Sequence, residues 1–136
     1  MDHFAAGLLV LEFDLLALDH NDGGFTRCAA GRLTRYLDGH SPWMLEKAKS
    51  GGGPIYNLGV HWIDLFRWIL QDEVTEVSGQ NVKINQRYDI EDNSFAHLRF
   101  QRGTMLALDI SYTVPDSYPY GRELYIGLRG TRPLAV

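Results

Sequence analysis

A change of hydrophobic period in the middle of the chain constrains the fold most. Three glycines break the chain at residues 51–53, and Pro54 follows where the first turn of a helix favours proline. Over residues 54–70 the apolar side chains recur at helical spacing and form one broad face: Ile55, Leu58, Trp62, Leu65, Phe66 and Ile69. After residue 70 the period falls to two, which is typical of strands. The sequence therefore predicts one long amphipathic helix that leads into a sheet.

The period of two predicts strands at residues 74–84, 94–100, 104–113 and 124–128. An earlier strand is predicted at residues 8–18, and turn residues follow it at positions 21–24. The segment between is less regular: residues 26–37 read as either a short helix or irregular chain, and residues 45–49 as one helical turn. A strand, a long helix and a run of hairpin-linked strands predict an α+β domain, with a largely antiparallel open sheet and helices packed on one face.

Composition excludes several classes of protein. The chain has 136 residues, enough for one domain with a hydrophobic core, and a formal net charge of −4 without a run of basic residues. Nucleic acid and anionic membranes are therefore not expected as partners. No segment has the roughly 18 apolar residues that span a bilayer, and the histidines lack metal-ligand spacing, so no metal site is predicted. Cys28 is the single cysteine, which favours a reducing, cytoplasmic setting.

The candidate chemistry lies on a narrow stripe beside the apolar helix face. Asn57 and His61 are one helical turn apart, and Asp64 and Trp68 continue the stripe. An imidazole can pass a proton to or from a hydroxyl group, and an amide can hydrogen-bond a neighbouring hydroxyl. The pair suits a sugar or polyol better than a charged substrate. A histidine on a helix is more often structural or merely exposed, so the spacing alone leaves both interpretations open.

The helix segment resembles a pattern of the glucose-fructose oxidoreductase / inositol dehydrogenase (Gfo/Idh/MocA) family. That pattern has three glycines, then Asp or Asn, Gly, His and Asp on a helix. Residues 90–96, 100–104 and 127–131 follow in the family's order, so the resemblance covers about residues 39–131. It implies the C-terminal substrate domain of an NAD(P)-dependent oxidoreductase that acts on a sugar, a polyol or a related hydroxy compound.

The resemblance also implies what this chain lacks. NAD or NADP belongs to a separate Rossmann domain, which also provides a catalytic lysine, and residues 1–136 contain no Gly-x-Gly-x-x-Gly fingerprint. We therefore expect a single domain, truncated at both ends relative to the family. No cofactor-binding residue, no bound cofactor and no turnover are expected of the isolated chain. The alternative is a non-catalytic ligand-binding or oligomerisation domain that retains the family sheet.

Carried over residue by residue, the family pattern makes His61 the proton-transfer candidate and Asn57 its partner. Many members have Asp at the position of Asn57, and an amide cannot relay a proton as a carboxylate does, so Asn57 is expected to position the substrate. Trp43 and Tyr120 are the predicted substrate-binding residues. The alternatives are a buried tryptophan at position 43 and an ordinary aromatic loop around Tyr120.

Family members commonly pair through this sheet, which implies a homo-oligomer. One apolar row on the strand predicted at residues 104–113 needs burial: Leu106, Leu108, Ile110 and Tyr112. If helices cover that row, the opposite row is available to a second copy of the chain: Met105, Ala107, Asp109, Ser111 and Thr113. We predict a homodimer through the sheet.

Overall fold

The computed structural model describes residues 24–31, 34–37, 41–119 and 122–129. Its strands are β1 (Gly24–Gly31), β2 (Val74–Val82), β3 (Asn93–Phe100), β4 (Met105–Ser111) and β5 (Arg122–Arg129). Its helices are α1 (Thr34–Leu37), α2 (Lys47–Ser50) and α3 (Val60–Leu70). A 3-10 turn spans Pro42–Leu45, and a π-helical turn spans Ile55–Gly59 and runs directly into α3. No helix of the described residues is long and apolar enough to cross a membrane.

The five strands form one open sheet in the order β2-β3-β4-β1-β5. The pairs β2–β3, β3–β4 and β1–β5 are antiparallel, and β1–β4 is parallel. In this register Leu98 lies opposite Leu106, and Ala96 lies opposite Leu108. Residues that are paired across strands share a face, so these side chains form one continuous apolar surface. The predicted α+β class with a largely antiparallel open sheet is confirmed.

The strand β1 corrects the prediction for residues 26–37. A short helix or irregular chain was expected there, but the strand runs to Gly31 and only Thr34–Leu37 is helical. Pairing with β4 on one side and β5 on the other satisfies the backbone of β1, although its glycine and alanine residues have low strand propensity. Distant pairing thus overrides the local signal. The strand predicted at residues 8–18 lies outside the described residues, as do positions 21–23 of the turn after it.

The other predicted elements are found with shifted ends. The strand predicted at residues 74–84 ends at Val82, because the backbone N–H groups of Ile84 and Asn85 turn away to the carboxylate of Asp92. The strand predicted at 104–113 ends at Ser111, whose hydroxyl accepts the N–H of Thr113. The helical turn predicted at 45–49 is observed as the 3-10 turn and α2.

The long helix packs on one face of the sheet through a cluster that we call the apolar core. Its buried members are Phe66, Leu70, Leu98, Phe100, Leu106, Leu108 and Ile110. Ile55, Leu58 and Trp62 of the predicted helix face pack against it, so that face is confirmed. Leu106, Leu108 and Ile110 of the predicted row are covered by the helix, whereas Tyr112 lies past the end of β4 in a second buried cluster. Burial of each large apolar side chain contributes about 1.5–3 kcal/mol.

A second cluster, the aromatic core, lies beside the first. It contains Tyr36, Leu45, Tyr88, Ile90 and Tyr112, all buried. Leu58 contacts both clusters and connects them under the start of the long helix. The other end of that helix is held by Arg102, whose guanidinium donates to the carbonyl oxygens of Leu70 and Gln71. Both ends of the helix are therefore fixed to the sheet.

Candidate functional site

Asn57 lies in the π-helical turn that precedes α3. The turn is marked by the N–H of Val60, which donates to the carbonyl of Ile55 five residues earlier. Gly59 permits this close packing, since a Cβ atom there would lie 2.5 Å from Cδ1 of Ile55. π-helical turns inside helices are frequent at functional sites. Here the wide turn sets the direction of Asn57 at the beginning of the helix.

The amide of Asn57 is anchored in the aromatic core. Its Nδ2 donates to the phenol oxygen of Tyr112 at 2.9 Å and to that of Tyr36 at 3.2 Å. The two phenol rings are in contact, with centroids 4.6 Å apart and planes inclined by 44°. Burial raises the pKa of Tyr112 well above its ordinary value, so this phenol stays neutral over the physiological range. Asn57 is half-buried and held at a defined orientation.

His61 follows Asn57 by one helical turn and is exposed. None of the described residues forms a hydrogen bond or an ion pair with its imidazole. Asp64 and Trp68, the other members of the predicted polar stripe, are exposed as well. His61 is therefore not a member of either core. The helix presents an available imidazole next to an amide whose nitrogen is already engaged.

The three glycines before the helix fit closely against the loop that connects β2 and β3. Gly51 ends α2 in the left-handed region, at φ 81°, where glycine is favoured. A Cβ atom on Gly53 would lie 2.0 Å from the carbonyl oxygen of Glu91. The backbone N–H of Lys47 donates to the carboxylate of Asp89 at 2.7 Å. The loop over residues 83–91 thus supports the turn from which the helix begins.

Asp92 organises this loop, and it was not singled out from the sequence. Its buried carboxylate accepts four hydrogen bonds, from the N–H groups of Ile84 and Asn85, the phenol of Tyr88 and the amide of Asn93, at 2.7–2.9 Å. Burial by itself raises the pKa of a carboxyl, but here the two backbone donors and the two side-chain donors outweigh it and lower the pKa of Asp92. The one available signal was an acidic residue at the start of an apolar strand.

A family model described as the GFO/IDH/MocA C-terminal domain matches residues 17–132. The chain belongs to the GFO/IDH/MocA family. Its sequence is 30% identical over 96 residues to a 1,5-anhydro-D-fructose reductase of Ensifer adhaerens, and the match covers 68% of the chain and 29% of that reductase. The family recognised from the helix motif is confirmed.

Solved structures of other proteins have the same fold as this GFO/IDH/MocA domain. The WlbA dehydrogenase from Bordetella pertussis, in complex with NADH and UDP-GlcNAcA, matches with a TM-score of 0.63 and 26% identity, over 79% of this chain and 31% of that one. GenD2 from gentamicin A biosynthesis, in complex with NAD, matches with a TM-score of 0.69 and 24% identity, over 85% of this chain and 32% of that one. This chain spans about a third of the length of each of these relatives.

The glycine turn before the helix is closely packed in this GFO/IDH/MocA domain. A glycine turn before a helix can bind an anion through its N–H groups. Here the carbonyl of Glu91 lies in the Cβ direction of Gly53, and the ring of Tyr56 lies in the Cβ direction of Gly52. A carbonyl oxygen would repel a phosphate. In the described part of the chain there is also no group of three His, Cys, Asp or Glu residues that could hold a metal ion.

Of the two predicted substrate-binding residues, the structure describes Trp43 but not Tyr120. Trp43 lies on the 3-10 turn and is 44% exposed, so the alternative of a buried tryptophan is wrong. Its role as a substrate-binding residue stays a prediction. Tyr120 lies outside the described residues. Its neighbour Tyr118 is half-buried in a turn, where its N–H donates to the carbonyl of Pro115 at 3.0 Å.

Proposed function

We propose that this chain forms the substrate side of an NAD(P)-dependent oxidoreductase that acts on a sugar, a polyol or a related hydroxy compound. Membership of the GFO/IDH/MocA family supports the reaction class. The reductase of Ensifer adhaerens supports a sugar-derived substrate, as does the UDP-sugar bound to the Bordetella pertussis dehydrogenase. Trp43 and Tyr120 are proposed to contact the substrate.

The roles proposed for His61 and Asn57 rest on one observation. An exposed imidazole lies one helical turn beyond an amide that two buried phenols hold in place. An imidazole can take up and return a proton near neutral pH, which is what conversion between an alcohol and a carbonyl requires at the substrate oxygen. In this proposal His61 transfers that proton, and Asn57 fixes the neighbouring hydroxyl so that the reacting one faces His61.

The cofactor is assigned to a part of the enzyme other than the described residues. The glycine turn is packed closely against the carbonyl of Glu91, and we propose no step through the dinucleotide on this chain. We expect the isolated chain to bind neither NAD(H) nor NADP(H) specifically. Isothermal titration calorimetry measures this directly, and a micromolar dissociation constant for either nucleotide would contradict the assignment.

The catalytic role of His61 can be tested when the chain is joined to a cofactor-binding domain of the family. We expect His61→Ala to lower kcat by about 10²- to 10⁴-fold, the usual effect of removing a general acid-base group. His97→Ala is the matched control, because His97 is also an exposed histidine but lies on β3, outside the polar stripe, and it should leave kcat unchanged. Full turnover by His61→Ala, or an equal loss in both variants, would refute the role.

We also propose that the chain forms a homodimer through the open face of the sheet. A dimer is expected both of an oxidoreductase and of a non-catalytic domain that retains the family sheet. Three large apolar side chains on that face are exposed: Phe95 43%, Met105 43% and Tyr125 56%. Phe95 and Tyr125 lie on one cross-strand row, through Asp109 and position 28. Apolar groups that are aligned in this way favour association with a second copy.

Light scattering at tens of micromolar tests the dimer. We expect twice the chain mass for the unmodified protein and a shift to monomer for Phe95→Glu. Val77→Glu is the control, because Val77 is exposed on the same sheet but shares a face with Leu98, on the helix side. A monomer at this concentration would contradict the proposal, and so would a dimer that Phe95→Glu leaves intact.

A further inference from the structure

Both protons of the Asn57 side chain are directed into the aromatic core. A primary amide nitrogen has two N–H groups, and Nδ2 of Asn57 has two acceptors, the phenol oxygens of Tyr112 and Tyr36. The amide therefore has no donor left for another partner. What remains is its carbonyl oxygen, Oδ1, which can only accept.

Oδ1 of Asn57 keeps contact with solvent. None of the described residues donates a hydrogen bond to it. Among the described side chains, the one buried polar atom without a partner is Oγ of Ser94, so Oδ1 of this half-buried residue is not enclosed. The amide thus has two different ends: its nitrogen is bonded to the core phenols, and its oxygen has no donor among the described residues.

We propose that Tyr36 and Tyr112 are positioning residues that commit the Asn57 nitrogen to the core and make Oδ1 the group that Asn57 presents to the substrate. This rests on the proposed function, because it assumes that the substrate binds beside His61. It also specifies the substrate more closely. An acceptor-only atom binds the O–H of a neutral alcohol and repels a carboxylate, so the group next to the reacting carbon is a hydroxyl rather than an acid.

The alternative orientation of the amide gives the opposite specificity. If Oδ1 accepted the protons of the two phenols, Nδ2 would face outward and would favour a carboxylate. Removal of the phenol hydroxyls should then have no effect on the N–H signals. The two orientations can therefore be separated with the unbound chain, before any ligand is tested.

The first measurement follows the side-chain amide signals of Asn57 by proton-nitrogen NMR. In the unmodified chain we expect two resolved, slowly exchanging N–H signals. Tyr112→Phe should shift both and increase their exchange with solvent, and Tyr36→Phe should do so to a smaller extent, because its bond is longer, 3.2 Å against 2.9 Å. Tyr88→Phe is the control: it removes a phenol hydroxyl from the same cluster, but one that donates to Asp92. Signals that do not move in Tyr112→Phe overturn the proposal.

The second measurement compares a polyol with the corresponding acid, D-glucitol with D-gluconate, by titration of the same NMR signals. We expect glucitol to bind at least about tenfold more tightly than gluconate in the unmodified chain and in Tyr88→Phe. The preference should disappear in Tyr112→Phe, where the amide is free to rotate. A preference for gluconate, or an unchanged preference in Tyr112→Phe, overturns the proposal. Binding of neither compound near His61 refutes the proposed function instead, and the amide signals then still decide whether the phenols position Asn57.

Discussion

The apolar core and the aromatic core lie on the same sheet but hold it in different ways. All side chains of the apolar core are hydrocarbon, and they connect α3 to β3 and β4. The aromatic core contains three phenols, whose hydroxyl groups are paired with Asn57 and Asp92. Apolar contacts have no preferred direction, whereas hydrogen bonds do. The first cluster therefore stabilises the fold without fixing the direction of any polar group, whereas the second also sets the orientation of particular groups at the start of the helix.

The largest effect on stability is expected in the apolar core. Phe100→Ala removes a fully buried ring that packs among the residues under α3, so we expect a loss of about 3–5 kcal/mol in the free energy of unfolding. Phe95→Ala is the matched control, since Phe95 is the same residue on the same strand but faces away from the helix, and we expect less than about 1 kcal/mol. Urea denaturation measures both. Similar losses in the two variants would contradict the placement of the apolar core between the helix and the sheet.

Beside the aromatic core, the residue whose loss should cost most is the carboxylate Asp92, which accepts the phenol proton of Tyr88. Asp92→Asn replaces one acceptor oxygen by an amide donor, which then faces the backbone N–H of either Ile84 or Asn85. We expect a loss of about 2–4 kcal/mol in the free energy of unfolding. Asp89→Asn is a suitable control, because Asp89 is exposed and accepts a single backbone N–H, from Lys47. If Asp92→Asn were as stable as the control, the loop would not depend on this carboxylate.

Acid should reduce the contribution of Asp92. The pKa of Asp92 is lower in the folded chain than in the unfolded chain, where it is about 3.9. Its stabilisation is therefore fully present above about pH 4 and is lost as the pH falls through the folded pKa. The difference in unfolding free energy between the unmodified chain and Asp92→Asn should be constant from about pH 5 to 7 and should shrink below about pH 4. A difference that grew in acid would show that folding raises the pKa of Asp92 instead of lowering it.

The contrast between the two cores also explains what could be predicted from the sequence. The helix face with Ile55, Leu58 and Trp62 was predictable because apolar periodicity reports directly on burial against a sheet. The apolar row on β4 was predictable for the same reason. The helix motif also identified the family, since several glycines and a histidine at fixed positions are more specific than composition.

The partners of polar groups were not predictable from one segment at a time. Asn57 bonds to tyrosines that are 21 and 55 residues away in the chain, and no local pattern encodes such a contact. Asp92 was overlooked because its four donors become a site only when the loop folds back on it. β1 was missed because its pairing with β4 and β5 forms over long sequence separations.

A smaller loss of stability is expected at the glycine turn that precedes the helix. Gly53→Ala places a Cβ atom against the backbone carbonyl of Glu91, which cannot move without disturbing Asp92, so we expect a loss of about 1–3 kcal/mol. Gly52→Ala is the comparison, because the atoms nearest to its new Cβ belong to the exposed ring of Tyr56, which can rotate away. The loss there should be smaller. Thermal denaturation that ranks the two in the reverse order would contradict the close contact with the loop.

The smallest effect on stability is expected at His61, and it separates a residue of the site from a residue of the core. The side chain is exposed and none of the described residues bonds to it, so His61→Ala should change the free energy of unfolding by no more than about 0.5 kcal/mol. Asn57→Ala, one turn earlier, removes the donor to two phenols and should cost about 1–2 kcal/mol. Urea denaturation of both variants gives the comparison. An early-melting His61→Ala would mean that the imidazole supports the fold, and any loss of turnover in that variant could then no longer be assigned to proton transfer.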